Sequence, residues 1–403
     1  MRHRTGRIIA LTCLLVGLQV LPAAAATRPV PPAAPAPTSS GKSPEAPDPH
    51  PPLGGIGPDG RPVGGPGLLS RSLVLPALPP HAPSLPASLT AKAWVLVDLD
   101  SGDLLAARDP HGRYQPASIL KTLTSITLLP LLAGNRTVTV SALQARAEGS
   151  SAGLVAGGVY TVDELFTGLL LVSGNDTAAA LADAAGGYQR TVALMNRTAL
   201  ADGAYDTFVQ TPSGLDGWQQ LTSAYDMAIF LRAAADQPRF VAYARQPTGT
   251  LPWQSINGYG PVTLHNQNQQ FLAGVRGALF AKTGYTDAAQ HTFVGAIERH
   301  GRRLGVVFLR AQRWPVDQWQ QATDLMNWGF ALPPGTKPIG HLAAAVPGPS
   351  AAAQPPRLKS VELLGLGPRH GTDWAVWVLI AGAIAVGLVS WRLRRSLRRS
   401  LRH

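Results

Sequence analysis

Apolar positions change their period along this chain. Residues 93–100 and 104–108 are short apolar runs joined at Asp100-Ser101-Gly102-Asp103, a spacing that predicts a β-hairpin. Pro116 then introduces a predicted helix from Ser118 to about Leu129. Helical periodicity follows at 162–172, 177–185, 188–200 and 223–235. After residue 275 the runs shorten and read as strands at 278–282, 292–298 and 304–310, before a closing helix over 316–330. Strands first, helices in the middle and strands last predict a mixed α/β domain over 88–331, with one sheet assembled from both ends of the segment.

The flanks lack this periodicity. Arg2, Arg4 and Arg7 precede an apolar run and the small residues Ala23 to Ala26, the pattern of a signal peptide over 1–26. Residues 27–87 and 332–373 are rich in Pro, Ala and Gly and are expected to be disordered, because they bury too little surface to offset ordering entropy. Residues 374–391 form an eighteen-residue apolar stretch with Trp374 and Trp391 at its edges, enough to cross a bilayer core at about 1.5 Å per residue. Six arginines in the tail 392–403 mark the cytoplasmic side, which places the preceding domain outside a bacterial cell membrane as a single-pass protein.

Charge and composition then exclude several functions. The formal charge is +12, but six of the positive charges lie in that tail and three in the leader, so the folded part has no electrostatic footprint for nucleic acid. The single cysteine, Cys13, falls inside the leader, which excludes disulfides and thiol catalysis in the mature protein. His265, His291 and His300 are scattered without ligand spacing, so neither a metal nor another cofactor is implied. Lysine is scarce against arginine, and only Lys92, Lys121 and Lys282 lie well inside 88–331. Such sparing use points to positions where a compact amine that can lose its proton is needed.

Three short motifs carry chemistry. Ser118-Ile119-Leu120-Lys121 puts a hydroxyl and an amine three residues apart on one helical face, where an uncharged lysine can take the serine's proton. Ser173-Gly174-Asn175 follows fifty-five residues after Ser118, in a turn between helical patterns. Its hydroxyl can relay a proton, and its carboxamide can hold both the lysine and a substrate carbonyl. Lys282-Thr283-Gly284 ends an apolar strand, with an ammonium and a hydroxyl that can grip a carboxylate and a glycine that leaves room for substrate backbone.

In this order and spacing the trio resembles the serine penicillin-recognising superfamily, and more narrowly the low-molecular-mass D-alanyl-D-alanine carboxypeptidases. The similarity runs from Ala93-Trp94-Val95-Leu96-Val97-Asp98 through Ser173-Gly174-Asn175-Asp176 and Thr211-Pro212-Ser213-Gly214-Leu215-Asp216 to Lys282-Thr283-Gly284-Tyr285-Thr286-Asp287. The resemblance implies a β-lactamase/transpeptidase-like α+β domain with an antiparallel sheet flanked by helices. It also implies a serine-type D-Ala-D-Ala carboxypeptidase of cell-wall biogenesis that acts on peptidoglycan stem peptides and is inhibited covalently by β-lactams. Ser118 would then be acylated, Lys121 would be its base, Ser173 would pass a proton to the leaving D-alanine, and Asn175 would orient both lysine and peptide. Lys282 and Thr283 would hold the terminal carboxylate, with the amides of Ser118 and Tyr285 as the oxyanion hole.

Two features depart from the family pattern. Gly277 and Lys282 are separated by more residues than usual, and the tether and membrane span stand where a β-rich second domain is frequent. A class A β-lactamase would also need a glutamate downstream of the second motif, and none occurs between Leu165 and Ile297. A D,D-endopeptidase of peptidoglycan cross-links and a non-catalytic, membrane-tethered peptidoglycan-binding protein remain as alternatives.

Overall fold

The structure, a computed structural model, describes residues 54–252 and 261–343. The predicted leader, the membrane span 374–391 and the basic tail lie outside the described residues. Among those described, no helix is long and apolar enough to cross a membrane.

In chain order, β1 (Leu73–Val74), β2 (Ala93–Asp98) and β3 (Asp103–Arg108) precede a 3-10 turn (Ala117–Leu120) that runs into α1 (Lys121–Leu128). The short strands β4 (Thr137–Thr139) and β5 (Val159–Thr161) flank α2 (Ala142–Ala145) and pair with each other. A helical block follows, made of α3 (Val162–Leu171), α4 (Asn175–Ala184), α5 (Tyr188–Ala201), α6 (Ala224–Ala235) and α7 (Pro238–Ala244). A small ladder of β6 (Thr248–Leu251) and β7 (Val262–His265) leads through α8 (Gln269–Gly274) back to the sheet. Strands β8 (Ala278–Thr286), β9 (Gln290–Arg299) and β10 (Arg302–Ala311), helix α9 (Gln318–Phe330) and β11 (Gly340–His341) complete it.

The main sheet is antiparallel in the order β1-β3-β2-β10-β9-β8, with β11 also pairing β3. Both ends of the segment therefore build one sheet, closed by the β2–β10 ladder from Leu304↔Asp98 to Leu309↔Ala93. Helices cover both faces, and the strands alternate with period two to suit them. Val95, Val97, Val294 and Val307 face the helical block, while Trp94, Leu96, Phe293 and Phe308 face α8 and α9. A Cβ on Gly329 would lie 2.8 Å from Leu96, so α9 seats close against β2 only because that position is glycine. Helix α1 is buried along its whole length, and two of its hydroxyls turn to backbone oxygens: Thr124 Oγ1 donates to the Pro212 carbonyl at 2.7 Å and Ser125 Oγ to that of Lys121 at 2.8 Å.

The expected disorder is corrected at both borders of the domain. Residues 54–87 lie over it, with Leu68 wholly buried, β1 paired to β3 and the Pro83 carbonyl accepting from Trp328 Nε1 at 2.9 Å. Gly55 N donates to the buried Asp206 carboxylate at 3.0 Å. A few well-spaced apolar side chains and satisfied backbone groups suffice for this, although they leave no periodic pattern to read. At the other border β11 and the buried Leu342 extend the fold past residue 332.

Candidate active site

The site begins at a strained turn. Ala117 has φ +48°, the left-handed region that costs a residue with a Cβ of order 1–3 kcal/mol unless its surroundings impose it. Here they do. Thr292 Oγ1, from β9, donates to the Pro116 carbonyl at 2.9 Å. A Cβ on Gly214 would fall 2.0 Å from the Ala117 carbonyl, and one on Gly284 would fall 2.6 Å from Ser118 N. Two glycines thus let the 211–220 loop and β8 close on the turn from both sides, and within residues 116–121 only Ser118 reaches the surface.

Ser118 occupies the 3-10 turn and α1 starts at Lys121, which corrects the expectation that the α-helix starts at Ser118. The tighter turn eclipses residues three apart. It brings Lys121 Nζ to 3.0 Å from Ser118 Oγ. The amine also donates to Asn175 Oδ1 at 2.7 Å and to the Ser213 carbonyl at 2.6 Å, with the lysine wholly buried. Burial above all, and then the positive charge of Lys282, push Lys121 well below the usual lysine range, against a smaller opposing effect of Asp176.

Asn175 opens α4 and is held at three points. Its Nδ2 donates to the Glu148 carbonyl at 2.6 Å, its backbone N to Ser150 O at 2.7 Å, and its Oδ1 receives Lys121. The next residue fixes the loop that supplies those carbonyls: the buried Asp176 carboxylate accepts from the backbone N–H groups of Ala152, Gly153 and Leu154 and from Ser151 Oγ. Ser173 also sits at a positive φ, +62°, buried, and its hydroxyl has no hydrogen-bond partner among the described residues.

Strand β8 forms the opposite wall. The extra residues before Lys282 are taken up by a bulge, because the β8–β9 register shifts between Ala278↔Ile297 and Phe280↔Ala296. From Lys282↔Val294 to Thr286↔Gln290 the pairing is regular. Lys282 is buried, its pKa lowered to about 7 by burial, and its Nζ donates to the Thr283 carbonyl at 2.7 Å. Thr283 lines a cavity with Asn268, Phe271, Arg313 and Asp317. Tyr285 is exposed, packs at a tilt against His291 with ring centroids 4.6 Å apart and donates from its hydroxyl to Asp287 at 3.0 Å.

The structure therefore brings Ser118, Lys121 and Asn175 into one hydrogen-bonded group and lays Gly284 against the Ser118 amide. The Glu148 and Ser213 carbonyls and the Asp176 cage escaped sequence reading. A backbone oxygen has no residue signature, and Asp176 was visible only as the neighbour of Asn175.

The chain is similar in sequence and fold to known proteins. The sequence profile of the family described as D-alanyl-D-alanine carboxypeptidase matches residues 80–313. The D-alanyl-D-alanine carboxypeptidase DacB2 of Mycobacterium tuberculosis is 41% identical over 248 residues, 60% of this chain and 84% of the relative. A crystal structure of a D-alanyl-D-alanine carboxypeptidase from Mycobacterium tuberculosis superposes with a TM-score of 0.62 at 40% identity, over 67% of this chain and 100% of that one. A carboxypeptidase of the same description from Francisella tularensis, DacD, superposes with a TM-score of 0.58 at 25% identity, over 63% of this chain and 74% of that one.

Proposed function

The chain belongs to the D-alanyl-D-alanine carboxypeptidase family, and from that premise we propose that it removes the terminal D-alanine of peptidoglycan pentapeptide stems through an acyl-enzyme on Ser118. The observation that carries the reading is the buried amine of Lys121, 3.0 Å from the serine oxygen. An uncharged amine has two N–H bonds and one lone pair. Asn175 Oδ1 and the Ser213 carbonyl take the N–H bonds, which leaves the lone pair for the Ser118 proton.

Attack on the carbonyl between the two D-alanines forms an oxyanion, which the backbone N–H groups of Ser118 and Tyr285 stabilise; the close approach of Gly284 to Ser118 N supports that role. Ser173, whose hydroxyl is free to turn, passes a proton to the departing amine. Lys282 and Thr283 hold the terminal carboxylate. Water then hydrolyses the acyl-enzyme. A β-lactam carries a reactive carbonyl and a carboxylate in a similar arrangement, so it acylates Ser118 and, with no downstream glutamate to drive deacylation, leaves slowly.

The topology belongs to the same proposal. The apolar leader, the span 374–391 and the six tail arginines support an exported, single-pass protein whose catalytic domain faces the wall. Full-length protein incubated with a pentapeptide ending in D-Ala-D-Ala is expected to release D-alanine, and the Ser118→Ala variant is not. Release that persists in that variant, or fluorescent penicillin bound at another residue, would overturn the assignment.

A further inference from the structure

Among the described residues the three most exposed aromatic side chains are Trp218, Trp314 and Tyr285, at 89, 82 and 57%. All three belong to segments around Ser118. Trp218 is carried by the 211–220 loop, whose Ser213 carbonyl meets Lys121 and whose Asp216 accepts from Thr286 Oγ1 of β8 at 2.7 Å. Tyr285 stands beside Gly284, and Trp314 follows Arg313 of the Thr283 cavity. Register orders them, since Tyr285 pairs with His291 and His291 with Ala311, three residues before Trp314. By strand spacing the rim from β8 to β10 is about 10 Å wide, and Trp218 extends it past Thr286.

These side chains are displayed on built loops. Gln220 Oε1 accepts from the N–H groups of Gln210 and Thr211 at 3.0 and 2.7 Å, and Gln219 N donates to Gln210 Oε1 at 3.1 Å, which braces the turn around Trp218. Arg313 pairs with Asp317 at 2.6 Å across the turn that bears Trp314. An indole held in water forgoes hydrophobic stabilisation, and one carried on a braced turn leaves less backbone to be ordered when something covers it.

We infer that this rim is a carbohydrate-stacking surface for the pyranose rings of the glycan strand from which the stem peptide hangs, an assignment that rests on the proposed activity and names a second recognition element of the same site. One face of a pyranose is a flat patch of weakly positive C–H groups, matched to the negative face of an aromatic ring, while its edge carries hydroxyls. The rim offers both features, because Asp216 and Asp287 stand among the aromatics, each with a second carboxylate oxygen beyond the one that accepts from Thr286 or Tyr285, and Arg313 and Asp317 are committed to each other. The charges of Asp216 and Asp287, which no cation pairs among the described residues, oppose an anionic lipid surface, the other common partner of exposed tryptophan.

The test compares two substrates with one stem: the free pentapeptide, and the same pentapeptide on its N-acetylglucosaminyl-N-acetylmuramyl disaccharide. Full-length protein is expected to favour the disaccharide form by roughly tenfold in kcat/KM, through KM, with Trp218→Ala and Trp314→Ala each lowering that preference roughly three- to tenfold. Both variants should keep the parent's rate on free pentapeptide and its rate of penicillin acylation. Equal kcat/KM for the two substrates in the parent overturns the inference, as do variants that lose equally on both. Loss of binding to phosphatidylglycerol vesicles with the sugar preference intact would assign the rim to a membrane instead. If the parent does not cleave free pentapeptide, the peptidase reading fails, and disaccharide-pentapeptide binding followed by calorimetry in parent and tryptophan variants still decides the rim.

Discussion

Lys121 and Lys282 stand on opposite walls of the site, one at the start of the buried helix α1 and the other on the edge strand β8, each as deeply buried as the apolar core. Burial lowers the pKa of both. Their partners differ. Lys121 has two fixed carbonyl-type acceptors and a hydroxyl that can reverse its role, and it feels the charge of Lys282. Lys282 sits near neutrality at about 7, with the carbonyl of its own neighbour as its acceptor among the described residues. An ammonium needs three acceptors to replace its hydration. What favours the free amine at Lys121 is burial and the nearby charge of Lys282, whereas in the proposed reading an arriving carboxylate would supply the acceptors that the Lys282 ammonium lacks.

Exchanging the charge behaviour on the helical wall should have the largest effect. Arginine cannot give up its proton at working pH, so Lys121→Arg is expected to slow fluorescent-penicillin labelling of Ser118 by about 10³-fold or more. Labelling within about tenfold of the parent would mean that the serine needs no base there. Asn175→Ala removes one acceptor from Lys121 and strands the Glu148 carbonyl, so kcat for D-alanine release should fall by about 10² while the thermal midpoint drops only modestly.

On the strand wall the loss should appear in binding. Lys282→Ala is expected to raise KM roughly 10- to 100-fold for a stem with a free carboxylate and to change little for its C-terminal amide, a contrast that steady-state kinetics on the paired substrates would reveal. The smallest effect is a pH limb. Lys282 carries its charge below about 7 and loses it above, so kcat/KM should fall by up to about tenfold per unit as pH rises through that value. Lys282→Arg should flatten that limb, and a limb that persists in the variant would assign the titration to another group.

The two walls also differed in how far they could be read. The Ser118–Lys121 spacing and the rarity of lysine were plain in the chain, and so were the hairpin 93–108 and the three closing strands, because period and motif are properties of neighbours in sequence. The acceptors that distinguish the two lysines were not. Ser213 and Glu148 act through carbonyls that any residue would supply, brought in by loops 92 and 27 residues away from the atoms they hold. The segment 54–87 was misread for a related reason: its order depends on what Leu68 and Gly55 meet and not on any repeat of their own.

Local chemistry and periodicity alone predicted the mixed α/β class and the spacing of Ser118 and Lys121 on one face, and the motif trio added the family resemblance. They act over a few bonds and survive in the order of residues. Only the tertiary structure decided which carbonyls meet Lys121, that Ala117 and Ser173 are held in left-handed conformations, and that a bulge at the start of β8 restores its register beside Ser118. Those outcomes depend on desolvation and on distances across the packed interior, quantities that do not exist until the two ends of the domain close into one sheet.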